Sequence, residues 1–191
     1  MGRQLQSWLK QNNRRLGKAE LLLRPAVSAT GGVWADLGCG EGIFTYLLTT
    51  MLQPGSQIYA VDNSQAALLA LRRHLTEFNQ MVTVQPQLAD FTRPLNLPPL
   101  DGMVMANSLH FVSAKRSVLV ELVKLLKPGG AMVVVEYNTN RGNSAVPHPL
   151  DETQFLKLMA EIGLGQARIA ARAPSTFLGE MYSGVAVKAW K

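Results

Sequence analysis

Val33-Trp34-Ala35-Asp36-Leu37-Gly38-Cys39-Gly40-Glu41-Gly42, running on into Ile43-Phe44-Thr45, is the stretch on which the reading of the fold turns. The apolar run Val33 to Leu37 has the length and composition of a buried strand, and the residues after Gly42 carry a helical pattern through about Met51. Between them lie three glycines at alternate positions, a spacing that lets backbone approach a ligand closely. Because the turn opens a helix, its free N–H groups and the positive end of the helix dipole face that ligand. About twenty residues later a second strand, Ile58 to Val61, ends in Asp62, a carboxylate suited to accept two ribose hydroxyl hydrogen bonds. A nicotinamide dinucleotide calls for a last glycine three residues after the second, whereas Gly40 and Gly42 are two apart. Asp36 and Glu41 flank the turn, a poor setting for a pyrophosphate and a good one for a ligand carrying an ammonium and a sulfonium.

Outward from this unit, strand-like and helix-like segments alternate. Asp62-Asn63-Ser64 is placed to cap a helix in which Ala67, Leu68, Leu71, Leu75 and Phe78 recur at helical spacing. Short strands are expected at Met81 to Val84 and Met103 to Ala106, and a helix from about Ser113 to Lys127, stopped by Pro128-Gly129-Gly130. Ala131 to Tyr137 reads as a buried strand. A polar loop from Asn138 to Leu150 leads to a helix with Asp151 and Gln154 in capping-box spacing. Two final strands, roughly Gln166 to Ala171 and Ser183 to Trp190, have no helix between them and so predict an antiparallel pair. The alternation predicts an α/β fold with a mainly parallel sheet and helices on both faces.

The chain has 191 residues, 47% of them hydrophobic and 17% charged, which fits one globular domain and excludes a disordered chain. No apolar run reaches the roughly 18 residues of a membrane span. A single cysteine makes neither an internal disulfide nor a cysteine-based metal site, so no metal is expected, and a cytoplasmic protein is the simplest account. The net charge of +6 is uneven: up to Arg24 there are six basic residues and one acid, and beyond it 13 basic and 12 acidic. Residues 1–30 are therefore expected to form a basic helical arm, with Leu5, Trp8, Leu9, Leu16, Ala19 and Leu23 on its apolar side, and residues 31–191 the ligand-binding domain. The arm has two further readings, a contact surface for nucleic acid and a lid over the site that brings Trp8 to the substrate.

Taken together, these segments resemble the class I S-adenosylmethionine-dependent methyltransferases over about Val33 to Tyr137. Asp36 to Gly42, with Gly38, Cys39 and Gly40, is similar to the family's first motif, whose acid faces the methionine part of the cofactor. Ala60-Val61-Asp62, followed by Asn63, is similar to the second, with Asp62 on the ribose; Leu88-Ala89-Asp90-Phe91 resembles the segment that holds the adenine. Leu100 to Asn107 resembles the fourth-strand motif bordering the methyl group, and Leu125 to Gly130 the turn into the fifth strand. The resemblance implies S-adenosyl-L-methionine as cofactor and a Rossmann-like doubly wound sheet of about seven strands, the last antiparallel.

Several of these residues have plainer readings. Cys39 suits a small buried turn residue better than a nucleophile, Asp90 could cap its loop, Asp101 fits a strand start, and Met103 and Met105 fit the core. For the acceptor, Asn107-Ser108-Leu109-His110-Phe111-Val112 lacks the two prolines of enzymes that methylate nucleobase amines, and the lone cysteine is not placed for pyrimidine-carbon chemistry. The stretch is more similar to small-molecule methyltransferases, including those acting on quinone precursors. His110 is the candidate general base, or else a hydrogen-bonded histidine opening the next turn. Tyr137, Asn138, Arg141 and His148 are candidate acceptor contacts. A nucleic-acid methyltransferase and a non-catalytic cofactor-binding protein are the alternatives.

Overall fold

The computed structural model describes residues 2–27 and 31–190. The elements run α1 (Arg3–Leu23), β1 (Val33–Leu37), α2 (Ile43–Met51), β2 (Gln57–Asp62), α3 (Gln65–Leu75), β3 (Thr83–Leu88) and β4 (Leu100–Ala106). A short 3-10 turn, Leu109–Phe111, then precedes α4 (Lys115–Leu125), β5 (Leu126–Tyr137), α5 (Glu152–Glu161), β6 (Leu164–Ser175) and β7 (Gly179–Lys188). The strands make one seven-stranded sheet in the order β3-β2-β1-β4-β5-β7-β6. β1 to β5 are mutually parallel, and β7 is antiparallel to β5 and to β6 on its other side. Fold class and closing pair are as the sequence predicts.

Alternation along the central strands explains why both faces must be covered. Trp34, Ile58, Ala60, Val104, Val133 and Val135 point into a core shared with α1, α2 and α3. Their neighbours Ala35, Leu37, Val61, Met103, Met105, Met132 and Val134 point into a second core shared with α4 and α5. Met103 and Met105 are fully buried there, as expected. Helix ends follow local chemistry. The Ser64 hydroxyl caps α3 by accepting from Ala67 N–H, and Asp151 and Gln154 form a reciprocal capping box at α5.

Edge strands depart from the sequence-based bounds. β3 runs to Leu88 and contains Pro86, tolerated because β3 is the outermost strand and one of its sides needs no ladder. Pro174 lies in β6 at the other edge for the same reason. β5 begins at Leu126, before the Pro-Gly-Gly turn, with a bulge in its pairing between Leu100 and Gly102.

The basic arm is not free. Leu5, Trp8, Leu16, Ala19, Leu22 and Leu23 are buried in the same core as α2 and the sheet, while Arg3, Lys10, Arg14 and Arg15 are exposed. Helix α1 covers Ala173, Met181 and Val185, which β6 and β7 would otherwise leave bare on that face. The division expected after residue 30 adjoins residues 28–30, outside the described residues. At the amino ends of the central strands β1 and β4, Asp101 accepts from Val33 N–H and from Lys127 Nζ, each at 2.7 Å.

Candidate functional site

The carboxyl ends of β1, β2 and β4 open a cleft of about 620 Å³. A volume of this size suits a cofactor-sized molecule. The first wall is the glycine turn. Gly38 and Cys39 donate their N–H groups to Val61 O, at 2.8 and 3.0 Å, which clamps the turn to the end of β2. Gly38 sits at φ 79°, and a Cβ there would lie 2.4 Å from Ser108 Cβ, so only glycine admits this approach. Gly40, at φ 54°, has open space where a Cβ would be. Its N–H donates to Asp62 Oδ2 at 2.8 Å, and Ser64 N–H donates to Asp62 Oδ1 at 2.8 Å. Asp62 thus fixes the turn and the start of α3 together, while each oxygen keeps a lone pair for a ligand.

The second wall is Ala89, Asp90, Phe91 and Thr92. Asp90 Oδ1 accepts from Thr92 N–H and hydroxyl at 2.9 and 2.7 Å, so it shapes its own loop as well as lining the cleft. Those bonds hold its carboxyl below the usual carboxylate range. The third wall is Asn107, Ser108, Phe111 and Val112. Ser108 donates to Leu37 O at 2.7 Å, tying β4's exit loop to the glycine turn. Asn107 lies in the left-handed region at φ 53°, and its Oδ1 is buried without a hydrogen-bond partner. The left-handed backbone, which asparagine tolerates better than most residues, turns the chain out of β4 along the cleft.

Of the cofactor residues expected from sequence, Gly38, Gly40, Asp62, Asn63, Asp90, Phe91 and Asn107 line this cleft. Asp36, Cys39 and Gly42 do not; all three are buried behind the turn. Asp36 is 1% exposed and accepts from the Thr45 hydroxyl at 2.6 Å. Burial pushes its carboxyl up to about 7, against the Thr45 hydrogen bond and with repulsion from Asp62. The negative charge at the turn therefore rests on Asp62 and the exposed Glu41 more than on Asp36. Burial likewise pushes the Cys39 thiol up, which makes it a turn residue and not a nucleophile.

His110 is buried in the 3-10 turn and paired with Glu136 at the end of β5. Its ring Nδ1 lies 2.7 Å from Glu136 Oε2, and its backbone N–H donates to Glu136 Oε1 at 3.1 Å. Its ring is set beside that of the cleft residue Phe111 at a separation of 4.3 Å. Glu136 was not among the expected site residues, although an acid inside the apolar strand Ala131 to Tyr137 was its visible signal. Thr92 and Ser108 were likewise not singled out.

Trp8 is the clearest displacement from the expected site. It is 6% exposed and packs against Tyr46, His74 and Phe78 in the core under α2 and α3, because its helix face is needed to close that core. Asn138 bridges elements, donating to Glu180 Oε1 at 2.8 Å and accepting from Glu152 N–H at 3.2 Å, so its amide is committed. Tyr137, Arg141 and His148 lie at the exit of β5 and in the loop beyond it. Lys115 Nζ fastens that loop to β4's exit by donating to Val112 O and His148 O, at 2.8 and 2.6 Å.

Sheet order, glycine turn and the carboxylate closing β2 together define a Rossmann-like methyltransferase fold. The family model described as a methyltransferase domain matches residues 35–132, half of the chain, and the chain belongs to the S-adenosylmethionine-dependent methyltransferase family. It is 34% identical over 125 residues to trans-aconitate 2-methyltransferase from Acidovorax ebreus (strain TPSY), covering 65% of this chain and 45% of that protein. It is 31% identical over 103 residues to carboxy-S-adenosyl-L-methionine synthase from Hydrogenovibrio crunogenus, covering 53% and 41%. The chain thus spans less than half the length of these curated relatives. Among solved structures, YcgJ from Bacillus subtilis superposes with a TM-score of 0.72 at 11% identity, over 92% of this chain and 99% of that one. Magnesium protoporphyrin IX methyltransferase from Synechocystis PCC 6803, with bound S-adenosylmethionine, gives 0.66 at 14%, over 94% and 79%. These structural likenesses establish the fold. Among the described residues no helix is long and apolar enough to cross a membrane.

Proposed function

We propose that the chain binds S-adenosyl-L-methionine in this cleft and transfers its methyl group to a small-molecule acceptor. The observation that carries the reading is the fixed carboxylate at the mouth of the cleft: Asp62 is held by the Gly40 and Ser64 N–H groups, lines the cleft beside the open space at Gly40, and keeps lone pairs for a ligand.

In this reading Gly38 holds the turn against Ser108, Gly40 leaves open space for the ligand, Asp62 and Asn63 take the ribose, and Asp90 and Phe91 take the adenine. Cys39 and Gly42 shape the turn from behind, and Asp36 sets it through Thr45. The bound cofactor supplies a methyl carbon already activated by its sulfonium, so alignment accounts for much of the acceleration. His110 has its Nδ1 engaged by Glu136, so Nε2 is the nitrogen left to accept a proton from an acceptor that must lose one. Tyr137, Arg141 and His148 contact the acceptor. Relatives named for small molecules, trans-aconitate among them, support that class of acceptor. The lone Cys39, buried and unpaired, fits a cytoplasmic location.

Titration with S-adenosylhomocysteine and with NAD tests the cofactor reading. Saturable binding of the first alone is expected, and NAD binding without a response to S-adenosylhomocysteine overturns it. The exposed basic face of α1 keeps a nucleic-acid acceptor as second reading, which steeply salt-dependent RNA binding would favour.

A further inference from the structure

Glu136 follows five apolar residues, Ala131 to Val135, in β5 and is fully buried. Among the described residues Glu136 and Asp36 are the buried acids, and His110 is the one buried histidine. Burying a carboxylate and an imidazole together costs desolvation that a neutral pair would avoid, so a pair kept in this place calls for a role beyond joining two strands. Glu136 spends both oxygens on the same residue. Oε1 accepts from the His110 backbone N–H at 3.1 Å, and Oε2 lies 2.7 Å from Nδ1. The first bond suffices to tie the turn after β4 to the end of β5; the second acts on the ring alone.

That second bond decides which nitrogen is free. An ionised carboxylate only accepts, so Nδ1 carries the hydrogen and the neutral ring keeps its lone pair on Nε2. Among the described residues Nε2 has no hydrogen-bond partner, yet it is not one of the sealed, unpaired atoms, which are those of Trp34, His74, Asn107 and Ser183. The 3% of His110 that meets solvent therefore includes this nitrogen. Its neighbours on both sides in sequence, Ser108 and Phe111 among them, line the cofactor cleft, and the Phe111 ring lies 4.3 Å from the imidazole.

Building on the methyl-transfer reading above, we infer that Glu136 is the positioning residue that holds His110 as an Nε2 base, and that the acceptor is accordingly a weakly acidic hydroxyl, a phenol or an enol. Nε2 takes the hydroxyl proton while the oxygen's electron pair forms the bond to the methyl carbon and the carbon–sulfur pair leaves with sulfur. The products are a methyl ether, S-adenosylhomocysteine and an imidazolium, which Glu136 neutralises until its proton passes to water. An ionised carboxylate has no proton for Nε2 to take, and an amine attacks through a lone pair it already holds.

Nitrogen-15 NMR of the protein saturated with S-adenosylhomocysteine at pH 8 reads the tautomer, with His74 and His148 assigned by substitution. His110 is expected to carry its hydrogen on Nδ1 and none on Nε2. Glu136→Gln keeps an oxygen for the backbone N–H and turns its NH2 towards Nδ1, so the hydrogen should move to Nε2 with the fold intact. A labelled-methyl assay then compares 4-methylphenol, 4-methylbenzoate and 4-methylaniline, one body with three nucleophiles. Transfer to the phenol is expected at least tenfold faster than to either of the others. Glu136→Gln should lower its kcat at least tenfold, with KM and S-adenosylhomocysteine affinity within twofold. Hydrogen on Nε2 in the wild type, a phenol no better than the acid or the amine, or a Glu136→Gln protein with undiminished kcat overturns the inference. So does the absence of transfer to the phenol by a protein that binds S-adenosylhomocysteine. Should Glu136→Gln fail to fold, the wild-type tautomer and the three probes decide by themselves. Failure of the wild type to bind S-adenosylhomocysteine overturns the cofactor reading instead, so the two failures are distinct.

Discussion

Asp62 holds two backbone N–H groups with one carboxylate, Gly40 on one oxygen and Ser64 on the other, and so sets turn and helix for the ribose it is proposed to bind. Asp62→Ala removes the ribose contact and loosens its frame. Affinity for S-adenosylhomocysteine should fall by about 1.5–3 kcal/mol, ~10- to 100-fold, and unliganded thermal stability should fall less. An unchanged dissociation constant in calorimetry would reduce Asp62 to a loop-forming role. Asp36 carries a different signature. Its folded-state carboxyl titrates at about 7, far above the ordinary 3.8, because burial disfavours its charge. The native state therefore holds this proton where the unfolded state has released it. The contribution to stability is greatest below about pH 4, declines as pH rises towards 7, and levels off above. A gap of this size corresponds to at most about 4 kcal/mol. Asp36→Asn keeps a neutral group beside Thr45 and should flatten that decline. Urea unfolding of both proteins between pH 5 and 8 checks it, and parallel pH profiles would show that Asp36 is not the group responsible.

At the scale of elements, α1 changes most between sequence and structure. Its cations drew attention to its outer face, but its inner face decides its role. Trp8 fills a pocket between Tyr46, His74 and Phe78, and the helix covers the β6–β7 pair. Trp8→Ala should cost about 3–5 kcal/mol, a large part of a typical domain's stability. Deletion through Arg24 should give an unfolded or aggregating protein, read by circular dichroism and size exclusion; a soluble, cooperatively unfolding truncation would restore the lid. Why the sequence led elsewhere is physical. The β1–turn–α2 unit was legible because its strand, glycines and helix are contiguous and each obeys a local rule. Asp151–Gln154 was legible for the same reason. The edge strands were clipped because Pro86 and Pro174 signal a break, and only the sheet order reveals that they stand at edges. His110 was visible as a titratable residue near the site, whereas its partner Glu136 is 26 residues away, brought near by the parallel pairing of β4 and β5. Asp36 and Cys39 belong to the motif, but which side of the turn meets ligand depends on the helix packed behind it.

The whole molecule divides the carboxyl edge of its sheet into two regions. Over β1, β2 and the start of the β4 loop lie the glycine turn, Asp62, Asp90 and the unpaired Asn107 oxygen. Over β5 and the β6–β7 turn lie Tyr137, Phe177 and the loop bearing Arg141 and His148. Phe111 stands at the boundary, lining the first region and touching the ring of His110 in the second. Cofactor binding and acceptor turnover should then respond to different substitutions. Gly40→Val places a β-branched residue at φ 54°, a strain on the order of 1–3 kcal/mol, with its side chain in the open space of the cleft. S-adenosylhomocysteine affinity should fall at least tenfold, and the melting temperature by only a few degrees, since no neighbouring side chain is displaced. Arg141→Ala should leave that affinity within twofold and lower methyl transfer to the true acceptor, because its exposed guanidinium lies on the other region. Calorimetry for binding and a labelled-methyl assay for turnover separate the two effects. A large loss of S-adenosylhomocysteine affinity in Arg141→Ala would mean that the loop after β5 reaches across the boundary, and the edge would then work as a single shared site.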